Sequence, residues 1–283
     1  MIPLSRELLL STVRELPALP AVLLELIELL RRDDVSADQL ASRISHDQAL
    51  AAKTLRLANS SFYGVPRQVK SVSDAIAVLG LRTLRTVVTT AVFTGSFKPA
   101  PGNTFNFNAF WRHSIGTAVC AKLLAEATRL DAEAAFTLGL LHDIGRLVLA
   151  SCFAQAHAQM LDHRQAHDTT VLESERSVLG IDHAEVGALM AEHWRFSPDL
   201  IMAIRHHHGP AAPATSTQPG LAELVHVADN IAHALDLSHL EDDAVPTLSN
   251  AVWLGLGLDT AQCVRVFEHT EAQTQAVCDA LLT

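Results

Sequence analysis

The chain has 283 residues, 49% of them hydrophobic and 18% charged, with a formal net charge of −10. That apolar fraction excludes intrinsic disorder, the 13 Gly and 11 Pro exclude a collagen-like or linker-dominated chain, and the acidic balance argues against general nucleic-acid binding. No run approaches 18 uninterrupted apolar residues and the N-terminus lacks a basic segment, so the expectation is a cytoplasmic protein without a membrane span; the four cysteines show no paired spacing and read as reduced thiols.

Helical periodicity runs from end to end. Residues 20–30 read as a helix opened by Pro20, and Ser36 and Asp47 read as N-caps of helices over 38–46 and 48–60. Residues 61–72, with Gly64 and Pro66, form a loop. Ser73 is expected to cap 74–79, Gly80 interrupts, and the helix resumes over 81–97. Lys98–Thr104 holds two prolines and a glycine and marks a subdomain boundary, giving units over 1–98 and 105–283. Further helices are predicted over 107–129, 132–151, 153–166, 170–179, 183–194 and 197–208. After a proline-containing stretch at 209–220, three more are expected over 221–236, 244–255 and 260–281. No alternating pattern of useful length occurs, so the fold class is all-α.

Charge and histidine are unevenly spread. Residues 51–100 carry seven basic side chains and one acid, which reads either as solvated helix faces or as a patch for an acidic partner, an anionic ligand or nucleic acid. Fourteen of the fifteen histidines lie beyond residue 100. Five of them (His157, His163, His167, His239, His269) fall in polar surroundings and are expected at the surface. The segment Ala134–Ser151 is apolar or small on nearly every side, yet contains His142, Asp143 and Arg146. A carboxylate in such a helix needs a cation, a metal or a hydrogen-bond donor. Pairing with Arg146 or a histidine satisfies that need as well as a metal does.

Other donors are candidates to join it. His113 follows Trp111 in the helix that opens the second half. Asp182 and Glu185 have capping-box spacing, which sets His183 in a first turn. His206-His207-His208 closes a helix, where histidines also complement the dipole. Asp229 lies at the edge of the apolar stripe of its helix. These nitrogen and oxygen donors, with no thiolate, suit Fe, Mn, Zn or Ni, one ion or two, and suit a magnesium-only site poorly.

The order His113, His142-Asp143, Asp229 is similar to the H…HD…D pattern of the HD superfamily of metal-dependent phosphohydrolases. His183 and His207-His208 resemble the extra ligands of its dinuclear branches, including the HD-GYP phosphodiesterases. In the first half, LPALP at 16–20, DQALAAKTLRLANSSFYG at 47–64 and VSDAIAVLGLRTLRTVV at 72–88 resemble the HDOD domain, an HD-related output module of bacterial signalling. FWRHS at 110–114 and LGLLHDIGRLVL at 138–149 fit the same family. The resemblance implies an N-terminal helical bundle packed on a C-terminal HD-like bundle. It further implies a regulatory role without established catalysis, and a metal site at His113, His142, Asp143, His183, His207, His208 and Asp229. The implied partners are signalling proteins or a small anionic ligand such as a nucleotide. The alternative is a phosphohydrolase acting on a nucleotide or cyclic dinucleotide, with Arg146 contacting phosphate. Four departures bear on that alternative. Gly209-Pro210-Ala211 stands where Gly-Tyr-Pro would follow the histidines, and Ala109 stands where a glutamate often precedes the first one. Arg146 replaces the common lysine, and Gln48 replaces a proline usual in the N-terminal motif.

Overall fold

The computed structural model describes residues 7–8, 11–12, 36–96, 105–210, 219–240 and 244–282, and among these the chain is helical with no strand. The expected helix at 20–30 and the boundary at Lys98–Thr104 lie outside the described residues. Thirteen helices are described: α1 (Ala37–Ser45), α2 (Gln48–Ala58), α3 (Val72–Ser96), α4 (Phe107–Thr128), α5 (Ala132–Leu141), α6 (Ile144–Cys152), α7 (Ala154–His167), α8 (Val171–Leu179), α9 (His183–His193), α10 (Pro198–His206), α11 (Leu221–Ala234), α12 (Asn250–Gly255) and α13 (Thr260–Leu281).

Short polar side chains begin nearly all of them by occupying amide N–H groups left without intrahelical partners. Ser36 and Thr170 do so within full capping boxes, and Asp47, Asn106, Asp131, Asp182 and Ser197 each accept from an amide two or three residues into the helix. Ser71, rather than Ser73, starts α3: its hydroxyl accepts from the Asp74 amide at 3.0 Å. Gly80 breaks α3 as expected, with φ 78° and ψ 163°, a conformation closed to most L-residues. The helix expected over 244–255 is shortened to Asn250–Gly255, because Pro246 lies in the extended lead-in and Ser249 supplies the cap.

The largest departure concerns 132–151. The chain forms two helices here, not one, and turns at His142-Asp143 between α5 and α6. Ala132–Cys152 is apolar and long enough by composition to cross a bilayer, but 78% of its most apolar window is buried inside the fold and the turn divides it.

α4 is the hub of the second half and packs against α5, α11 and α13, while α9 packs against α6 and α10. α1–α3 pack on one another; α3 meets α5, and α2 meets α13. One apolar cluster runs from Leu40 through Phe136 to Leu281, so both halves share a continuous core. The loop after α2 docks Phe62 against Phe136 of α5, ring centroids 5.6 Å apart, and Lys122 of α4 lies over the Phe62 and Tyr63 rings. The N-terminal NSSFYG segment thus braces the helix leading to His142.

Candidate metal centre

The turn at His142-Asp143 points both side chains into a space walled by α4, α9, the end of α10 and α11. Gly145 permits it. A Cβ there would collide with the His183 carbonyl oxygen and lie 2.7 Å from the Gly187 nitrogen, so α6 and the start of α9 meet backbone to backbone. The seven donors proposed from the sequence, His113, His142, Asp143, His183, His207, His208 and Asp229, all converge on this space, scattered though they are over more than a hundred positions.

Two carboxylate oxygens organise the cluster. Asp143 Oδ1 has the Nε2 atoms of His183, His207 and His142 at 3.1, 3.5 and 3.7 Å. Asp229 Oδ1 has those of His113, His142 and His233 at 3.0, 3.4 and 3.4 Å. His142 faces both. His183 Nε2 and His208 Nε2 are 2.7 Å apart.

The hydrogen bonds behind the rings set which nitrogen faces inward. His142 Nδ1 donates to the Gly139 carbonyl at 2.6 Å and His207 Nδ1 to the Ile204 carbonyl at 2.7 Å. A carbonyl only accepts, so in the neutral rings the lone pair lies on Nε2, toward the centre. His183 Nδ1 is held at 2.6 Å by Glu175 Oε2, which also accepts from the His183 amide at 2.9 Å.

His142 Nε2, His207 Nε2, Asp143 Oδ1 and Asp229 Oδ2 are buried and make no hydrogen bond. Lone pairs facing carboxylate oxygens at 3.4–3.7 Å repel unless positive charge lies between them. Asp143, Asp229 and Glu175 place three buried carboxylates here, and the one permanent cation bonded to any of them among the described residues is Arg146, whose Nη1 reaches Asp143 Oδ2 at 3.0 Å. Two positive charges are needed to balance the rest. Either a divalent ion or two protonated imidazoles supplies them, and the donor set fits a borderline transition ion.

Without an ion, the imidazoles take up that charge. Burial disfavours a charged His183, but Glu175 and Asp143 outweigh it and push its pKa up to about 10. Burial, with the His207 and His183 rings beside it, drives His208 far down. Burial also opposes ionisation of Asp143, yet His142, His183 and Arg146 hold its carboxyl well below the usual range. Burial opposes ionisation of Asp229 as well, yet the His113, His142 and His233 imidazoles facing it hold its carboxyl well below the usual range.

Three residues of this environment escaped the sequence reading. His233 lies one helical turn beyond Asp229, at a D-x-x-x-H spacing that offered the only clue. Glu175 is almost wholly buried in a helix that reads as polar. His226 donates from Nδ1 to the His207 carbonyl at 2.8 Å and accepts at Nε2 from the Ser249 amide at 3.1 Å. His157 was expected at the surface and is instead buried against Phe105, because the helix that carries it turns one edge inward. Arg146, the candidate phosphate contact, is engaged with Asp143 and 24% exposed.

Comparison with known proteins decides the family. The HDOD domain profile matches residues 16–210, more than half of the chain. The chain belongs to the HDOD family. Among solved structures it is similar to an HDOD domain protein of unknown function from Geobacter sulfurreducens, with TM-score 0.81, 27% identity, and 99% of this chain and 100% of that one covered. It is similar also to a proposed phosphohydrolase of Shewanella amazonensis SB2B, with TM-score 0.77, 29% identity, and 96% and 97% covered. The MmoQ response regulator of Methylococcus capsulatus matches with TM-score 0.50 and 26% identity over 89% of this chain and 98% of that one. An uncharacterized protein of Treponema pallidum is 28% identical over 204 residues, 71% of this chain but only 39% of that protein. The HDOD region is thus about two fifths of the curated relative. These likenesses support a regulatory HDOD or HD-type module, and with the histidine–aspartate cluster they suggest a metal site.

Proposed function

We propose that this HDOD protein is a regulatory module in signal transduction whose second half is organised around a divalent transition-metal centre. One or two ions would be held by His113, His142, Asp143, His183, His207, His208 and Asp229, and the module would transmit state to a signalling protein or to a small anionic ligand such as a nucleotide. The observation that carries this reading is the set of buried, unbonded Nε2 and carboxylate atoms facing one another with their outer nitrogens already anchored. A bound ion supplies Lewis acidity there; the chain's own residues orient the donors and exclude water. The residues at Ala109, Arg146 and Gly209-Pro210 depart from the pattern of hydrolytic relatives. A non-catalytic role is therefore favoured.

The test is elemental analysis of the purified chain followed by turnover assays with nucleotides and cyclic dinucleotides. Bound Fe, Mn, Zn or Ni with no product is the expected result. Product release that Asp143→Ala abolishes would instead establish a metal-dependent phosphohydrolase. The feature favouring that second reading is the pair of donor sets around Asp143 and Asp229, since two ions can clamp an attacked phosphate.

A further inference from the structure

We propose that His233 completes a second cation locus with His113 and Asp229, adjoining the one formed by Asp143, His183, His207 and His208. The inference rests on the metal-centre reading above and adds to it a donor outside the seven residues and a count of ions.

Three observations carry it. First, His233 stands at i+4 from Asp229 on α11, so the two side chains share a helix face and meet the ring of His113 on the facing helix α4. The His113 and His233 ring centroids are 4.4 Å apart, and both Nε2 atoms approach the same oxygen, Asp229 Oδ1, at 3.0 and 3.4 Å. Second, the other Asp229 oxygen, Oδ2, is buried and makes no hydrogen bond, so the carboxylate keeps a free donor at this end of the cluster. Third, each carboxylate centres its own set of imidazoles. Asp143 gathers His183, His207 and His208, Asp229 gathers His113 and His233, and each set's donor atoms lie within 4.8 Å of one another. His142 approaches both carboxylates, and His113, His142 and Asp143 form a further group within the same distance, so the two loci adjoin. Two imidazoles and a carboxylate make a common set for Mn, Fe or Zn, with room for exogenous ligands. Their arrangement on rigid helices presets the geometry.

The experiment uses the full chain, stripped of metal and titrated with Mn(II). Bound manganese is counted after gel filtration, and electron paramagnetic resonance distinguishes a spin-coupled pair from an isolated ion. Wild-type protein is expected to hold two Mn(II) per chain with a coupled signal. His233→Ala is expected to hold one, with an uncoupled six-line spectrum, and His208→Ala should weaken the other locus while leaving the Asp229 set loaded. Two ions in both wild type and His233→Ala would overturn the role of His233. A single ion in saturated wild type would overturn the second locus, and this count decides the matter even if the variant does not fold. No bound ion in wild type would remove the metal centre itself, a different failure.

Discussion

Glu175 shows how much of this centre depends on residues behind the donors. Its carboxylate takes both the ring and the amide of His183, fixing the imidazole's rotation and basicity. Glu175→Gln keeps the shape but removes the charge, and outer partners of this kind are worth roughly 10–100-fold in metal affinity. A loss of that size should appear in a competitive titration of Mn(II), while the far-ultraviolet circular dichroism stays that of a helical protein. Thiols offer a second test. Burial pushes the Cys120 thiol up to about 12 and Cys278 up to about 11. A raised thiol pKa means less thiolate at any working pH, so a thiol reagent near pH 8 should spare both in native protein. Half-buried Cys263 should be modified first, as peptide mass mapping would show.

Among the elements, the α5–α6 turn and the start of α9 determine whether the donors meet. Gly145→Ala forces a methyl group into the His183 carbonyl and the Gly187 amide, both of them backbone. Overpacking typically costs about 1–3 kcal/mol, and it should be at the upper end here because no flexible side chain can give way. The expected outcome is a lower denaturation midpoint together with weaker metal binding, since the displaced α9 carries His183. Thr170→Ala makes a useful contrast. It removes a capping box that begins α8, costs about 1 kcal/mol, and leaves the ligand set in place. A smaller loss of stability without a loss of metal would separate helix capping from site geometry.

For the molecule as a whole, an ion that binds only the folded chain stabilises it by mass action, by about 2.7 kcal/mol when present at a hundredfold over its dissociation constant. At this chain length that corresponds to a melting temperature roughly 5 °C higher. Chelation should lower the melting temperature by a comparable amount, and a melt unchanged by chelator and by added Mn(II) or Zn(II) would argue against a resident ion. The shared core makes the effect global. Phe62 and Tyr63 brace α4 and α5 from the N-terminal side, so loosening the metal centre should be felt in both halves rather than in one.

Local pattern was enough to read the all-α class, most of the N-caps and the break at Gly80, because capping and helical periodicity act over a few residues; the seven candidate donors were singled out by the order of motifs in the family resemblance. Three things were beyond its reach. The turn at His142-Asp143 interrupts a segment that is apolar on all sides and has no periodic face to lose. Glu175 and His157 are buried by neighbours remote in sequence. His233 gains its meaning only from the ring of His113 across the helix interface. Convergence of donors is a property of packing between α4, α6, α9, α10 and α11, and no span of contiguous residues encodes it.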